Sequence, residues 1–591
     1  MSFQIICVII STMRERKTAI QPVIDPRGKQ KKRILKLARR CTLDELRKGP
    51  LLFFDNAKLS YSNYGEIFTI IKEKFTGEGI SNFTDFRKTV RGKSARSLKN
   101  YALRMAKTKP AAAVVALGDM GVSPATTIIA VTLEELGIPC VYITAPPGAY
   151  LAEAVAFYRA GQLCLCPVDV YQDSTPEDIR REIDRQWDCI VESLTLPPER
   201  IGERSKLDFE LDAEVPASNG LIELTDKIKI SETSALAAGI EEVTDFFNSL
   251  HIGDGLPVIP PTKERYHLML TYCPFVPNKV LARNIGPSGE NITVKDVAVA
   301  AIMAGCKPEY LPILITVFKA MSNNKYNFSQ SVTTSHPGGN LVLVSGPIAK
   351  EVGIWGGQGC LGPGFPANAT IGRAVNLAII NVCRSVPGFV DLACLSSQAE
   401  WTYCFAEDPE LSPWPTINAE RYDANITTVY VLKAEVPHAM MDLISQTSEG
   451  LLGTFVDCCT TLGSNNAYFP GNLIMVITPN HARLLNREGW NKDKIREHIF
   501  SEVCNEVEVV RNRGIVPSRH PHHVRPAGFK ILNHIPIARS PKDIEVIVAG
   551  GEGGHSAVIL PWALHSEAII EPVVLPDNNP ARSIREFRRK V

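Results

Sequence analysis

Several glycine-rich turns of the chain carry side chains able to do chemistry. "TTSHPGGN" sets the hydroxyls of Thr333, Thr334 and Ser335 beside His336 and a Gly-Gly turn. An imidazole on such a loop suits acid/base work, and Thr334 suits a ligand contact. "GGQGCLGPGFPANATIGRA" holds five glycines from Gly356 to Gly364 and one cysteine, Cys360. A backbone free of Cβ atoms approaches a ligand closely, and Cys360 is expected exposed there as a nucleophile. Asn368 and Arg373 flank the helix start that follows, where Arg373 could grip a carboxylate. The run lacks the lysine of a phosphate-binding loop, so a nucleotide site is not read from it. "GGEGGHSAVI" offers Glu552 and His555 as an acid/base pair at a strand end. Cys306 in "MAGCKPEY" ends a helix and is the second candidate thiol. "SRHPHHVRP" gathers His520, His522 and His523. These are metal-ligand types, with His336 and His555 as further partners to test. Pro521 breaks their spacing and no carboxylate lies in the run, so no metal site is assigned and an exposed loop is the plainer reading.

Earlier in the chain, "VVALGDMGVSPATT" reads as a strand, a turn and a helix. Asp119 stands at the strand end as a candidate acid/base. A glycine turn opening a helix presents free N–H groups and the positive end of the helix dipole, which suits a carboxylate or phosphate held by Gly121 and Ser123. Ser123 also reads as an N-cap, with Pro124 at the first helical position.

These turns need a frame. Apolar strands at 51–54, 111–117, 141–144 and 163–166 alternate with helical spacing at 64–75, 125–136 and 152–160. A further amphipathic helix opens at Thr175, with Asp178 completing a capping box. This alternation predicts an α/β fold: a parallel sheet with helices on both faces over residues 46–196. Its crevice lies at the carboxyl ends of the strands, where Asp55 and the 118–123 turn fall. Residues 1–45 read as a basic, solvated arm and 197–236 as a linker with at most an edge strand. Residues 237–591 form a larger α/β or α+β domain that is expected to hold the chemistry. Its helices fall at 294–304, 310–322 and from about 369, its strands at 341–345, "NLIMVITP" and "IEVIVAGG". No short-period repeat is present.

At "LGDMGVSPATT" the chain resembles the UGSC-type selenoprotein and thiol-protein family, named for selenocysteine or cysteine, Gly, Ser and Cys at a strand-to-helix turn. "VIDPRG", "FFDNAKLS" and "LEELGIPCVYIT" extend the likeness over roughly residues 22–195. The motif falls on Met120, Gly121, Val122 and Ser123. The resemblance implies dithiol chemistry at two positions, here Met120 and Ser123, and neither forms a thiolate or a disulfide. The second domain is similar to a companion domain of unassigned activity, through "DGLPVIPPT", "MAGCKPEY", "TTSHPGG", "GPGFPANATIGRA" and "GGEGGHSAVI".

The chain has 591 residues, too many for one core. With 64 basic against 63 acidic side chains, no pull toward nucleic acid follows. The fifteen cysteines include no CxxC, and most sit singly in apolar runs, as expected of buried thiols in a reducing compartment. The apolar run at 3–10 is too short to span a bilayer, and its basic residues follow rather than precede it. Translation from Met13, leaving residues 1–12 out, is one reading of this terminus. The expectation is a soluble cytoplasmic protein without membrane or nucleic-acid partners, a possible homo-oligomer, with its cofactor left open. The favoured activity is lyase, hydratase or acyl-type chemistry on a small acidic or acyl metabolite, as a tailoring step in specialised metabolism. A thiol oxidoreductase using Cys360 or Cys306, and a non-catalytic binding or scaffold protein, are the alternatives.

Overall fold

The computed structural model describes residues 23–27, 37–57, 64–90, 92–118, 123–159, 163–170, 174–197, 217–218, 221–222, 238–468, 470–506, 509, 534–563 and 566–589. Residues 1–12, Asp119, Met120, Gly121 and the His520, His522, His523 run lie outside the described residues.

The first sheet contains β1 (Leu51–Asp55), β2 (Phe83–Arg87), β3 (Ala112–Gly118), β4 (Cys140–Thr144) and β5 (Leu165–Pro167). Their order is β2-β1-β3-β4-β5, and every pairing is parallel. Helices α1 (Tyr64–Gly77), α2 (Ala95–Ala106), α3 (Ser123–Glu135), α4 (Pro146–Arg159), α5 (Pro176–Arg185) and α6 (Trp187–Thr195) cover it. Successive strand residues feed opposite cores: Phe53, Val114 and Ile143 meet Ile67, Ile71 and Ile179, while Phe54, Val115 and Tyr142 meet Leu98 and Ile129. Burial on both faces is why the central strands β1, β3 and β4 are apolar over nearly all of their length. The expected capping box is present, with the Thr175 hydroxyl and the Asp178 carboxylate each bonding the other's backbone. The chain winds one way from β1 to β2 and the other way from β3 onward, so the switch point lies between β1 and β3. There Asn56 Nδ2 donates to Leu117 O at 2.7 Å and to Thr126 Oγ1 at 3.0 Å.

The described parts of the basic arm are built into the protein rather than solvated. Val23 and Ile24 are buried in the core of the second domain and pair with the linker strand Leu221–Ile222. Arg40 is buried against Glu134 at 2.9 Å, and the other Glu134 contacts are the N–H groups of Ala38 and Cys140, at 2.8 and 2.7 Å. A buried guanidinium requires such a partner.

The second domain has two four-stranded sheets. The first contains β6 (Gly339–Ser345), β7 (Cys404–Ala406), β8 (Thr428–Ala434) and, from the chain's end, β13 (Ile569–Pro572), in the order β7-β6-β8-β13. The second contains β9 (His438–Met441), β10 (Leu473–Ile477), β11 (Ile544–Val548) and β12 (His555–Ile559), in the order β9-β12-β10-β11. In each, the central strand has one parallel neighbour and one antiparallel neighbour that carries a fourth, antiparallel strand. The domain is therefore an internal duplication, and "GNLVLVSGP" at 339–347 matches "GNLIMVITP" at 471–479. The halves exchange their fourth strands: β9 follows β8 in the chain but joins the second sheet, and β13 follows β12 but joins the first.

Leu341, Leu343, Tyr430 and Leu432 of the first sheet face Ile474, Val476, Ile547 and Ile559 of the second. The outer face of the first sheet packs on α7 (Val294–Ala304), α8 (Leu311–Met321) and α9 (Pro366–Ala378). That of the second packs on α10 (Ser448–Cys459), α11 (Pro479–Arg487) and α12 (Lys492–Glu502), giving four layers, α/β/β/α. No helix among the described residues is long and apolar enough to cross a membrane.

The first domain meets the second through residues at or after the carboxyl ends of its strands. Leu151, Ala154 and Val155 of α4 pack on Val390. Arg159 donates to Asn284 Oδ1 at 2.6 Å and to Gly286 O at 2.8 Å. Gln330 accepts from Gly92 N–H at 2.9 Å and donates to Val90 O at 3.2 Å.

Candidate functional site

Next to this junction, polar groups occupy the end of the outer face of the first sheet. Along β6, Val342 and Val344 point to the helices, and Asn340 shares their face. On β8, Val429 and Val431 do so, and Lys433 continues that alternation. Asn340 and Lys433 are register partners. Lys433 is 3% exposed, yet no described residue hydrogen-bonds its ammonium. Its nearest carboxylate oxygen, Glu400 Oε1, is 3.7 Å away.

Asp391 adjoins the junction residue Val390 and keeps partial solvent contact. Burial, then the negative charge of Glu400, pushes its carboxyl up to about 7, against the pull of Lys433 and the Ala393 N–H. Glu400 Oε1, Ser397 Oγ, Thr333 Oγ1 and Asn376 Nδ2 are buried without a hydrogen-bond partner among the described residues. Asn376 Oδ1 accepts from Asn340 Nδ2 at 3.0 Å, and Tyr326 OH donates to Asn340 Oδ1 at 2.7 Å. Buried polar atoms are nearly always paired, so Glu400 Oε1, 3.7 Å from Lys433, and Asn376 Nδ2, on the partner of Asn340, make this end of the sheet a candidate place for a ligand's polar atoms. A carboxyl that titrates near neutrality beside a fixed cation can give and take protons.

Of the residues singled out from sequence, Thr334 and His336 lie just before β6, the strand that carries Asn340. His336 Nδ1 accepts from Gly338 N–H at 3.2 Å, so Nε2 carries the proton toward Glu435 Oε1, 3.0 Å away. The ring stacks on Trp562, and Thr334 Oγ1 accepts from the His336 N–H at 3.1 Å. Both ring nitrogens are thus occupied within the protein.

Cys360, Asn368, Glu552 and His555 lie elsewhere. The two glycine loops meet, with Gly357 bridged to Gly550 and Gly550 N–H donating to Gly356 O at 2.8 Å. This junction sits past the carboxyl ends of β7 and β11, whereas His336 precedes the start of β6. At ~3.3 Å per residue a seven-residue strand spans roughly 20 Å. One cleft therefore does not unite His336 with Cys360. Cys360 is buried rather than exposed, and burial pushes its thiol up to about 11. Asn368 clamps the loop by donating to the carbonyls of Trp355 and Cys360, both at 2.9 Å. Glu552 forks Arg483 at 2.8 and 2.7 Å, which lowers its pKa, so its partner is Arg483 rather than His555. His555 is exposed opposite Met441. Arg373 already grips a carboxylate, that of Asp254, at 2.7 and 2.8 Å. Cys306 is buried, and its thiol is pushed up to about 12. Ser123 begins α3 fully buried, and its Oγ makes no capping bond among the described residues. No group of three metal-ligating side chains converges among the described residues.

Asp391, Glu400 and Lys433 were not singled out from sequence. One signal was available: in "VYVLKAE" a lysine takes a helix-facing position where the alternation calls for an apolar residue. No family model matches the chain, and no curated protein or solved structure is significantly similar to it.

Proposed function

We propose that the protein is an enzyme performing general acid–base chemistry on a small acidic or acyl metabolite, of the lyase, hydratase or acyl-transforming class, as a tailoring step in specialised metabolism. Asp391 carries the proton and Lys433 supplies the fixed positive charge. The observation that carries this reading is a carboxyl raised to about 7 beside an ammonium without a hydrogen bond, at a domain junction. The first domain is read as a UGSC-type frame whose two redox positions have become Met120 and Ser123. The high thiol pKa values of Cys360 and Cys306 favour acid–base over thiol chemistry. The described cysteines are all free, which fits a cytoplasmic setting.

Thermal-shift screening of carboxylate- and acyl-bearing metabolites, followed by mass spectrometry of the incubated hits, tests the proposal. A hit should be converted by the wild type and not converted by Asp391→Asn. Conversion that survives this substitution removes Asp391 from the chemistry. Absence of any binder argues for a scaffold.

A further inference from the structure

We infer that the recess recognises an α-amino-acid-type zwitterion, with its ammonium seated between Asp391 and Glu400 and its carboxylate on Lys433 and the side-chain amide of Asn376. This rests on the reading of the same site as the place of chemistry and names the substrate class.

The argument is an inventory of unpaired groups. On one side stand Lys433, 3% exposed and without a hydrogen bond to its ammonium among the described residues, and Asn376 Nδ2, a buried donor without an acceptor. On the other stand Glu400 Oε1, a buried acceptor without a hydrogen-bond donor among the described residues, and the Asp391 carboxyl, which accepts from Ala393 N–H at 3.2 Å. Ser397 Oγ, at the start of the turn that carries Glu400, adds a hydroxyl without a partner among the described residues. Unsolvated charges and donors left in this state cost free energy that a matching ligand recovers.

A simple carboxylate would satisfy Lys433 and Asn376. It would also bring a negative charge beside two carboxyls and leave Glu400 Oε1 bare. A simple amine would satisfy the carboxyls and leave Lys433 with only its 3.7 Å ion pair to Glu400 and no hydrogen bond. A ligand with both charges a few ångströms apart partners every member. The 3.7 Å between Lys433 Nζ and Glu400 Oε1 matches this, because the two ends of an amino acid can lie head-to-tail against such a pair. The upward push on Asp391, from burial first and the charge of Glu400 second, agrees, because a ligand ammonium beside the carboxyl would offset both. The Ser397 hydroxyl is neutral and can serve either end.

The test uses the full chain and matched sets of probes: the common L-amino acids, the corresponding acids lacking the amino group, and the corresponding amines lacking the carboxylate. Binding is read by thermal shift and titration calorimetry. The expected result is an amino acid that binds at least about tenfold more tightly than both of its truncated partners. Lys433→Met and Glu400→Gln should each weaken that amino acid by a similar factor. Circular dichroism checks each variant, and if Lys433→Met does not fold, the isosteric Glu400→Gln and the wild-type probe sets still decide. A deamino acid that binds as tightly as its amino acid overturns the zwitterion and leaves the acidic-metabolite reading standing. No response to any acid or amino acid overturns both.

Discussion

Replacing Asp391 by asparagine should stabilise the protein, and only at the alkaline end of its range. The carboxyl moves from an ordinary 3.8 to about 7 in the folded state, a difference of about 3 units. At 1.36 kcal/mol per unit the ceiling is about 4 kcal/mol. The raised value belongs to an acid whose ionised form the fold disfavours. Between about pH 4 and 7 the native state therefore keeps a proton that the unfolded chain has released, and stability falls as pH rises through that window. Above pH 7 the loss is complete. Because Asp391 keeps partial solvent contact, which screens the penalty, roughly half the ceiling, about 2 kcal/mol, is expected. Asparagine keeps the shape and cannot ionise. Asp391→Asn should thus match the wild type at pH 4.5 and exceed it by about 2 kcal/mol at pH 8, a melting-temperature gain of a few degrees. Urea and thermal unfolding at the two pH values measure this. A difference of equal size at both, or a variant less stable at pH 8, refutes the claim that the Asp391 carboxyl is held against its ionisation.

Three further outcomes follow from the same structure. Under iodoacetamide at pH 8, Cys394, which is exposed, should be alkylated well before Cys360, whose thiol is buried and raised to about 11; peptide mass mapping over time gives the order. Glu134→Ala should cost about 3–5 kcal/mol in the first domain, because it leaves the Arg40 guanidinium buried and unpaired; loss of helical signal on heating reports it. Gly118→Ala should destabilise by about 1–3 kcal/mol, since its Cβ would fall 2.4 Å from Thr144 Oγ1 and 2.6 Å from Tyr142 OH, and urea midpoints would register the change.

How much of this was legible beforehand depends on how local each feature is. Strands β1, β3 and β4 declare themselves as short apolar runs because a central parallel strand is buried on both faces. The capping box at Thr175 and the class of the first domain follow from equally local patterns. No element is read between α1 and β3, where β2 and α2 lie. β2 is an edge strand, and "FTDFR" is only half buried, so it lacks the apolar signature of its neighbours. The glycine loops at 356–359 and 550–553 are visible as composition, but their meeting, which buries Cys360, is not.

By itself, then, the sequence determined the most strongly patterned elements, the α/β class and the loops rich enough in glycine to come close to something. It did so because periodicity, capping and turn chemistry act within a few residues. The tertiary structure alone decided the exchange of fourth strands between the two sheets and the approach of Asp391, Glu400 and Lys433 to one another. Those three are separated in the chain and meet only through the β6–β8 pairing and the loop between. Whether a carboxyl is an ordinary surface charge or a proton carrier depends on how much water and which charges surround it, and that is settled by packing across the chain rather than along it.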